Sequence, residues 1–376
     1  MILTGRNPET GVAARVEAGG AGSLTAAWLA PAFCDLQVNG FAGVDFNSAS
    51  VRVEDYRKAV RALWTTGVTR FCPTIISASR EHLCRCLRAA ATAAHDPIAG
   101  PAISGIHLEG PYISPEDGPR GAHLRAAIRP PDRGEFEALQ QAAAGRILLV
   151  TLAPEVPGAL PFIEWLSQQG IVVAIGHTGA SAELIGEAVA AGARLATHLG
   201  NGATEYIHRH HNIIWEQLAA DRLSASFILD GHHLPPAMVK SMIRAKGVSR
   251  SLLVTDAVAP AGCPPGPYNL GTQDVELTPE GRVHLMGSRR LAGSALRMDV
   301  AVAKVMEFAQ ISLAEALRMA GVQPAALLGL DYPHDHVLLD CETGQQTGQK
   351  GPRVHVRAAV REGALVWTDL SATEKM

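Results

Sequence analysis

The sequence predicts an α/β chain that folds as a (β/α)₈ barrel, with a small β-sheet built from both termini. Three observations lead to this prediction. Eight short runs rich in apolar and β-branched residues recur along the chain, and most are separated by stretches with a helical pattern. Continuous apolar runs are typical of parallel strands that are covered on both faces. Most of the runs also end in a polar residue, as expected where barrel strands open onto a shared mouth.

Helical signals lie between the apolar runs. Val53–Gly67 has apolar residues at a spacing of three to four and ends on glycine. Ser181–Gly192 begins with a serine suited to the N-cap, and Pro235–Gly247 opens with proline; both close on glycine. Alternating strands and helices of this kind close into a right-handed barrel. The eight predicted strands are Pro31–Gln37, Thr69–Ile76, Ala102–Glu109, Arg146–Thr151, Val172–His177, Leu195–His198, Ser224–Asp230 and Ser251–Asp256.

The two ends of the chain do not follow this alternation. We therefore predict two units, one made of residues 1–30 plus 335–376, and one made of the barrel, residues 31–334. The segment Cys263–Leu291 follows the eighth strand, is rich in glycine and proline, and predicts a hairpin excursion near the mouth. Short strands are predicted in the terminal regions at Val12–Glu17, Val354–Val360 and Ala364–Thr368.

Bulk composition excludes several classes of function. Charge is nearly balanced, with 33 Lys and Arg against 36 Asp and Glu, and aromatic residues make up only 5%. Neither feature is typical of a nucleic-acid-binding surface. The N-terminal stretch lacks the apolar centre of a signal peptide, and no apolar run of about 18 residues predicts a membrane helix. The six cysteines fit no zinc-binding spacing, which favours reduced thiols in a cytoplasmic protein.

Polar residues collect at the ends of the predicted strands. The carboxyl ends of the strands in a (β/α)₈ barrel meet at one mouth, where the active site lies. Several histidines and acidic residues at corresponding positions therefore predict a catalytic site. These strand-end residues are Gln37, Asn39, Thr74, His107, Glu109, Thr151, His177, His198, Asp230 and Asp256.

Four of these residues predict a metal centre. Two histidines and one carboxylate, here His177, His198 and Glu109, form a ligand set typical of catalytic zinc, which leaves a position for water. Asp256 would then be free to transfer a proton, and a bound metal lowers the pKa of water to about 7. Each residue alone has a simpler interpretation: a hydrogen-bonded structural histidine, a loop ion pair or N-cap at Glu109, and a turn residue at Asp256.

At these residues the chain resembles the N-acetylglucosamine-6-phosphate deacetylase family of the amidohydrolase superfamily. The resemblance covers about Pro31 to Leu296, and HLEGP followed by GAH is its most specific part. It implies a (β/α)₈ barrel with a small β-sandwich formed by both termini, and hydrolysis of N-acetylglucosamine 6-phosphate to glucosamine 6-phosphate and acetate. The matching stretches are PAFCDLQVNGFAGVDFN (31–47), GIHLEGPYISPEDGPRGAH (105–123), IGHTGAS, THLGNGAT, ILDGHHLPP, VTDAVAP and RLAGSAL.

The resemblance also implies a role for individual residues. Glu109, His177 and His198 would hold one divalent metal ion, with Zn²⁺ expected, while Asp256 would be the catalytic acid and base. His123 would contact the substrate carbonyl. Arg209 would bind the phosphate from the neighbouring subunit of a homodimer. The residues implied to bind substrate are Ala122, Asn201, Gly202, Arg209, His233, Leu291, Ala292 and Gly293.

The chain departs from the family pattern in two places. Many amidohydrolases carry His-x-His after the first strand, whereas Gln37 and Asn39 stand here, as in family members that use one metal, so we predict a single ion. The segment Gly200–Thr204 differs from the usual pocket wall. It leaves open an alternative, a related amidohydrolase acting on a different N-acyl amine or a cyclic amide. A non-enzymatic sugar-phosphate binder is a third interpretation, and the intact Glu/His/His/Asp set argues against it. His107 is expected to support Glu109 rather than bind metal.

Overall fold

A computed structural model describes residues 1–271, 273–342 and 351–369 of the chain. The helices are α1 (Val53–Trp64), α2 (Arg80–Ala93), α3 (Arg133–Ala142), α4 (Ala159–Gln168), α5 (Ala182–Ala191), α6 (Ile213–Ala219), α7 (Pro236–Lys246), α8 (Met298–Ala309), α9 (Leu313–Ala320) and α10 (Val322–Leu327). The strands are β1 (Ile2–Arg6), β2 (Ala13–Glu17), β3 (Ser23–Pro31), β4 (Phe33–Val38), β5 (Gly40–Phe41), β6 (Val44–Asp45), β7 (Val68–Ile76), β8 (Ile106–Glu109), β9 (Ile147–Leu152), β10 (Val172–Ile175), β11 (Leu195–Ala196), β12 (Ser224–Phe227), β13 (Ser251–Leu253), β14 (Gly266–Leu270), β15 (Gln273–Leu277), β16 (Val283–Leu285), β17 (His336–Glu342), β18 (Arg353–Arg361) and β19 (Ala364–Thr368).

The largest sheet is a nearly closed parallel barrel. Its eight strands follow the order β13-β12-β11-β10-β9-β8-β7-β4. A parallel bridge between Val38 and Ala257 brings the first strand next to the segment after the last one. All residues of β4 and β8 are buried, as expected for strands covered on one face by helices and on the other by the barrel interior. The predicted (β/α)₈ fold is confirmed.

Four predicted strands are too long at their carboxyl ends. β10, β11, β12 and β13 stop two or three residues before the histidine or aspartate that was predicted to end them. The reason at three of these ends is backbone conformation. His177, His198 and Asp256 have positive φ angles of 52°, 31° and 48°, and an extended ladder cannot include a left-handed residue. These side chains therefore lie on the loops that leave the strands.

The helices follow their predicted limits closely. The side chain of Ser181 accepts a hydrogen bond from the backbone N–H of Leu184, and Gly192 ends α5 with φ of 116°. A left-handed residue at this position is most readily glycine. In α1 the residues that face the barrel, among them Tyr56 and Leu63, are buried, which gives the apolar stripe that packs a helix onto a sheet.

Strands from both termini form one separate six-stranded sheet, in the order β19-β18-β17-β3-β1-β2. The short strands predicted at the two ends correspond to β2, β18 and β19. Asp335 joins this sheet to the barrel, because it accepts hydrogen bonds from Thr69 Oγ1 at 3.0 Å, Arg70 Nε at 2.9 Å and the backbone N–H of Glu362 at 2.8 Å. The division into 1–30 plus 335–376 and 31–334 stays a prediction, and part of 335–376 lies outside the described residues.

The segment after the eighth barrel strand is a three-stranded antiparallel sheet, β14-β15-β16, one strand more than the predicted hairpin. The backbone N–H of Gly271 donates to the Asp45 carboxylate at 3.1 Å. His232 Nε2 lies 3.1 Å from the carbonyl oxygen of Glu280. These contacts hold the small sheet beside the mouth. None of the helices in the described part of the chain is long and apolar enough to cross a membrane.

Candidate active site

Glu109, His177 and His198 converge at the mouth of the barrel. Glu109 Oε1 lies 3.1 Å from His177 Nε2 and 3.1 Å from His198 Nε2, and the two Nε2 atoms are 3.1 Å apart. All three residues are buried. Four ligands placed tetrahedrally at 2.0–2.1 Å around Zn²⁺ lie about 3.3 Å from one another. The three atoms therefore form the face of a tetrahedron of nearly the right size for a metal ion.

The protonation of these groups suits a cation. Burial alone would raise the pKa of Glu109, but hydrogen bonds and charge from His177 and His198, whose place a bound cation would take, hold it well below its usual range. The carboxylate is therefore ionised. His177 Nδ1 donates to the carbonyl oxygen of Pro119 at 2.9 Å, which leaves the lone pair of Nε2 directed at the cluster. His198 Nδ1 is buried and has no hydrogen-bond partner among the described residues.

Gln37 and Asn39 donate hydrogen bonds to the carboxylates of the site. Gln37 Nε2 donates to Glu109 Oε1 at 2.9 Å, and Gln37 Oε1 accepts from Thr197 Oγ1 at 3.2 Å. Asn39 Nδ2 donates to Asp256 Oδ1 at 2.6 Å. Both side chains thus direct N–H groups toward the site, where a second metal would need lone pairs. This geometry agrees with the prediction of one ion.

Asp256 is suited to proton transfer near neutral pH. Desolvation raises the pKa of its carboxyl group to about 7, and the nearby Glu109 carboxylate adds to the increase, while the hydrogen bond from Asn39 opposes it. A group with this pKa can accept a proton from water and return it in the same cycle. The carboxylate lies on the loop that follows β13, close enough to Glu109 and His198 for their charges to affect its pKa.

His123 returns to the site on the loop that follows β8. Its ring packs edge-on against the ring of His177, with 4.4 Å between the centroids. Burial lowers the pKa of His123 to about 3, and the nearby His177 adds to the decrease, so the imidazole is neutral. Its Nδ1 lies 2.8 Å from Ser77 Oγ. Ser77 was not predicted as a site residue, although its place directly after β7 was a signal that could have found it.

His107 lies one step deeper and outside the ligand cluster. Its Nε2 is 2.7 Å from Thr151 Oγ1, and its Nδ1 is 3.4 Å from Thr74 Oγ1. Both ring nitrogens therefore have partners inside the barrel, which agrees with the expected supporting role. Because Glu109 follows two residues later on the same strand, these bonds fix the direction of β8 beneath the carboxylate.

The loops around the cluster contain several of the residues predicted to bind substrate. A Cβ atom on Gly202 would lie 2.9 Å from His177 Nδ1, so only glycine fits against that ring. Asn201 Nδ2 donates to the carbonyl oxygen of His198 at 3.1 Å. His233 Nδ1 donates to Asp230 Oδ2 at 2.7 Å, which leaves its Nε2 for other partners.

The segment from Leu291 to Ser294 lies beside the loop that carries Asp256. The backbone N–H of Ser294 donates to the carbonyl oxygen of Asp256 at 3.1 Å. A Cβ atom on Gly293 would overlap Val258 Cγ1, so this segment packs directly on the loop that carries Asp256. Ala292 is buried, and Leu291 forms an isolated bridge with His284. Ala122 is half-buried next to His123.

Arg209 is separate from the ligand cluster. It lies on an exposed loop and borders an outer groove of about 680 Å³, which also reaches Asn201 and Gly202. It forms no ion pair with another described residue. Tyr206 and Trp215, which flank it, are 87% and 53% exposed. Such apolar exposure around a free cation is typical of a surface that meets another protein.

Comparison with known proteins adds to this geometry. The model of the amidohydrolase family matches residues 28–333. The N-acetylglucosamine-6-phosphate deacetylase of Bos taurus is 36% identical over 354 residues, which cover 90% of this chain and 83% of that protein. The N-acetylgalactosamine-6-phosphate deacetylase of Escherichia coli O157:H7 is 34% identical over 303 residues, which cover 81% of this chain and 78% of that protein.

A solved structure is similar over nearly the whole chain. It is that of a mutant N-acetyl-D-glucosamine-6-phosphate deacetylase from Mycobacterium smegmatis in complex with N-acetyl-D-glucosamine-6-phosphate. The two chains are 30% identical, the TM-score is 0.83, and the match covers 98% of this chain and 99% of the other. Both the barrel and the sheet of the termini are therefore shared.

Proposed function

Because the chain belongs to the amidohydrolase family, and within it to the N-acetylglucosamine-6-phosphate deacetylases, we propose that it hydrolyses the acetamide of N-acetylglucosamine 6-phosphate. The products are glucosamine 6-phosphate and acetate. The observation that carries the proposal is the convergence of Glu109, His177 and His198, with Asp256 near enough for the Glu109 carboxylate to raise its pKa. A protein that only bound the sugar phosphate would have no need of a proton-transfer carboxylate next to a ligand set.

The family is metal-dependent, and the Glu/His/His cluster fits one divalent ion, for which we propose Zn²⁺. Its three donor atoms have the spacing of a tetrahedral face, and the second nitrogen of His177 donates to a carbonyl oxygen. Glu109, His177 and His198 would hold the ion, and a three-ligand set of this kind would leave one coordination position for water or substrate. When bound, the ion supplies a Lewis acid that polarises the carbonyl and lowers the pKa of water.

The chain's own side chains perform the proton transfers. Asp256 accepts a proton from the attacking water and later donates it to the departing amine, so one carboxylate serves as base and then acid. Asn39 holds this carboxylate in place through the bond to Oδ1. His123, which is neutral, faces the substrate carbonyl and stabilises the charge that develops on its oxygen.

The phosphate requires hydrogen-bond donors, and we assign them to Arg209 and His233, with Asn201 and Gly202 against the sugar phosphate. A guanidinium binds phosphate through two parallel N–H groups. Arg209 lies on an exposed loop, so we propose that it completes the site of a neighbouring subunit in a homodimer. The exposed side chains of Tyr206 and Trp215 support this assignment, because a dimer would cover them.

The remaining pocket residues are assigned to the sugar and the acyl group. Leu291, Ala292 and Gly293 line one side of the pocket next to the Asp256 loop, and Ala122 lines the other side beside His123.

We also propose a cytoplasmic location for the protein, and a domain boundary between the barrel, 31–334, and the unit formed by 1–30 plus 335–376. Cell fractionation tests the first of these, and limited proteolysis followed by mass spectrometry tests the second.

Acetate release from a panel of sugars tests the proposed function. The panel contains the 6-phosphates of N-acetylglucosamine, N-acetylgalactosamine and N-acetylmannosamine, each beside its unphosphorylated sugar. We expect the glucosamine isomer to have the highest kcat/KM, with loss of activity when the metal is chelated and recovery with Zn²⁺. The galactosamine isomer is the second candidate, because a relative that is 34% identical bears its name. No acetate release from any phosphorylated sugar by the metal-loaded protein would contradict the proposal.

A further inference from the structure

Ser77 is the one strand-end hydroxyl among the described residues that contacts His123. It follows β7 directly, and its Oγ lies 2.8 Å from His123 Nδ1. Both side chains are largely excluded from solvent, with relative exposures of 5% for Ser77 and 6% for His123. The contact joins two loops that are 46 residues apart in the chain. A buried bond of this kind determines the orientation of both groups.

The position of the serine is restricted by its surroundings. A Cβ atom on Gly110 would overlap Ser77 Oγ, so the absence of a side chain there leaves room for the hydroxyl. Gly110 follows the metal-cluster residue Glu109 and has φ of 73°, a conformation that favours glycine. The hydroxyl is thus enclosed between the Gly110 backbone and the imidazole of His123.

Hydrogen-bond requirements decide the direction of the Ser77–His123 bond. A neutral imidazole has one N–H group and one acceptor nitrogen, and a serine hydroxyl can donate one hydrogen. If Nδ1–H donated to Ser77, the hydroxyl hydrogen of Ser77 would have no acceptor among the described residues. If the hydroxyl donates to Nδ1, the hydroxyl hydrogen and the Nδ1 lone pair are both paired, and the ring proton lies on Nε2.

We propose that Ser77 is a positioning residue for deacetylation: its hydroxyl donates to His123 Nδ1 and holds the imidazole as the Nε2–H tautomer, which donates to the carbonyl oxygen of the acyl group. This inference rests on the proposed function. It explains how the 2.8 Å contact between Ser77 Oγ and His123 Nδ1 leaves Nε2 to donate to the substrate. The carbonyl oxygen gains negative charge as water adds, so a fixed neutral N–H stabilises it more in the transition state than in the ground state.

The packing of His123 agrees with this role. Its ring meets the ring of His177 edge-on, at an interplanar angle of 69°. Rotation of the imidazole by half a turn about Cβ–Cγ would place Cδ2 where Nδ1 now lies, and it would break the bond to Ser77. The serine and the His177 ring together therefore hold one orientation, with Nε2 on the side away from Ser77.

Nitrogen NMR of the complete chain tests the tautomer directly. The protein is labelled with ¹⁵N-histidine and loaded with diamagnetic Zn²⁺, and a His123→Asn variant identifies the His123 signals. We expect a protonated Nε2 and an unprotonated Nδ1 in the wild type, and a mixture of both tautomers in Ser77→Ala. A wild-type signal with the proton on Nδ1 would overturn the inference.

Kinetics of matched variants test the consequence for catalysis. Ser77→Ala should lower kcat about 10-fold and change KM less than about twofold, because the lost donor acts mainly in the transition state. Ser77→Thr keeps the hydroxyl and should restore most of kcat. Ser77→Cys has a weaker donor, so its kcat should lie between those of the wild type and Ser77→Ala. The cysteine variant serves as the test if the threonine variant does not fold. Ser104→Ala is the control, since Ser104 precedes β8 at the far end of the barrel. Wild-type kcat in Ser77→Ala would overturn the inference.

The two measurements separate this inference from the proposed function. An Nδ1–H tautomer in a wild type that releases acetate overturns the role of Ser77 alone. A wild type that carries metal and releases no acetate overturns the deacetylase assignment and, with it, the catalytic role of Ser77. A kcat that follows the tautomer across the Ser77 variants supports both.

Discussion

Asp256 combines two properties that a proton-transfer group in this reaction needs. Its carboxylate is held by Asn39 at 2.6 Å, and its surroundings raise its pKa to about 7. Asp256→Asn keeps the shape of the side chain and the acceptor for Asn39, but it removes the base. We expect kcat to fall about 10²- to 10⁴-fold, with metal content unchanged.

Steady-state kinetics and metal analysis of the same preparation check this prediction. Asp221→Asn is a suitable control, because Asp221 is an exposed carboxylate on a distant loop, paired with Arg250 at 2.5 Å. Near-normal turnover of the Asp256→Asn variant with its metal bound would exclude Asp256 as the acid and base.

The buried carboxyl group of Asp35 should make the free energy of unfolding depend on pH. It is fully buried in β4, and its carboxylate accepts from Thr255 Oγ1 at 2.5 Å and from the backbone N–H groups of Gln37 and Thr255. Burial raises its pKa to about 7, against the effect of these bonds. The folded chain therefore binds more protons at this residue than the unfolded chain between about pH 4 and 7, so its contribution to the free energy of unfolding falls as pH rises through that range.

Asp35→Asn removes this titration and keeps an oxygen acceptor. We expect the free energy of unfolding of the variant, relative to the wild type, to rise between pH 5 and pH 8. The upper limit is about 4 kcal/mol, which corresponds to a pKa difference of about three units. Urea denaturation of both proteins at several pH values measures the difference. If the difference in free energy of unfolding between the two proteins stayed constant across the pH range, the folded chain would not raise the pKa of Asp35.

At the scale of elements, the loop after β13 depends on its contact with the segment Leu291–Ser294. Gly293 has φ of 74°, and a Cβ atom there would overlap Val258 Cγ1. Gly293→Ala should therefore cost about 1–3 kcal/mol of stability. It should also lower kcat, because the neighbouring Ser294 donates to the backbone of Asp256.

A double-mutant cycle separates the two sources of strain at Gly293. Val258→Ala in the Gly293→Ala background removes the overlap but not the positive φ, so part of the loss should be recovered. Gly11→Ala is the matched control, since Gly11 has φ of 68° and open space around its Cβ position. Thermal unfolding and kcat are measured for all four proteins of the cycle. Equal losses in Gly293→Ala and Gly11→Ala would show that the overlap has no effect.

The elements also show how far the sequence could predict this site. Apolar runs identified all eight barrel strands, because both faces of each strand are covered. The carboxyl ends of four strands were predicted two or three residues too far along the chain. At three of them the cause is the positive φ of His177, His198 and Asp256, which leaves no mark in apolar patterning. Ser77 was missed because a serine after a strand has many possible roles. Its role depends on Gly110 and His123, which only the folded chain brings next to it.

At the scale of the whole molecule, the site proposed here needs a second copy of the chain. Glu109, His177, His198, Asp256 and His123 gather in one barrel, whereas Arg209 lies on an exposed loop beside an outer groove. Composition and periodicity contain no signal for the subunit to which a loop residue contributes, and at Arg209 only the family resemblance implied the neighbouring subunit. The exposed side chains of Tyr206 and Trp215 add a physical reason for this, and that reason is visible only in the folded structure.

Mixing two impaired variants tests whether Arg209 acts across the interface. Arg209→Met alone should raise KM for the phosphorylated sugar more than for its unphosphorylated analogue, while Arg222→Met, a change at an exposed loop arginine, should affect neither. In a hybrid dimer of Arg209→Met and Asp256→Asn chains, one site combines an intact Asp256 with an intact Arg209 from the other subunit. Unfolding and refolding equal amounts together should therefore restore about a quarter of the wild-type activity at low substrate, since half of the dimers are hybrids with one complete site each. Activity that stays at the average of the two separate variants would mean that Arg209 serves its own barrel.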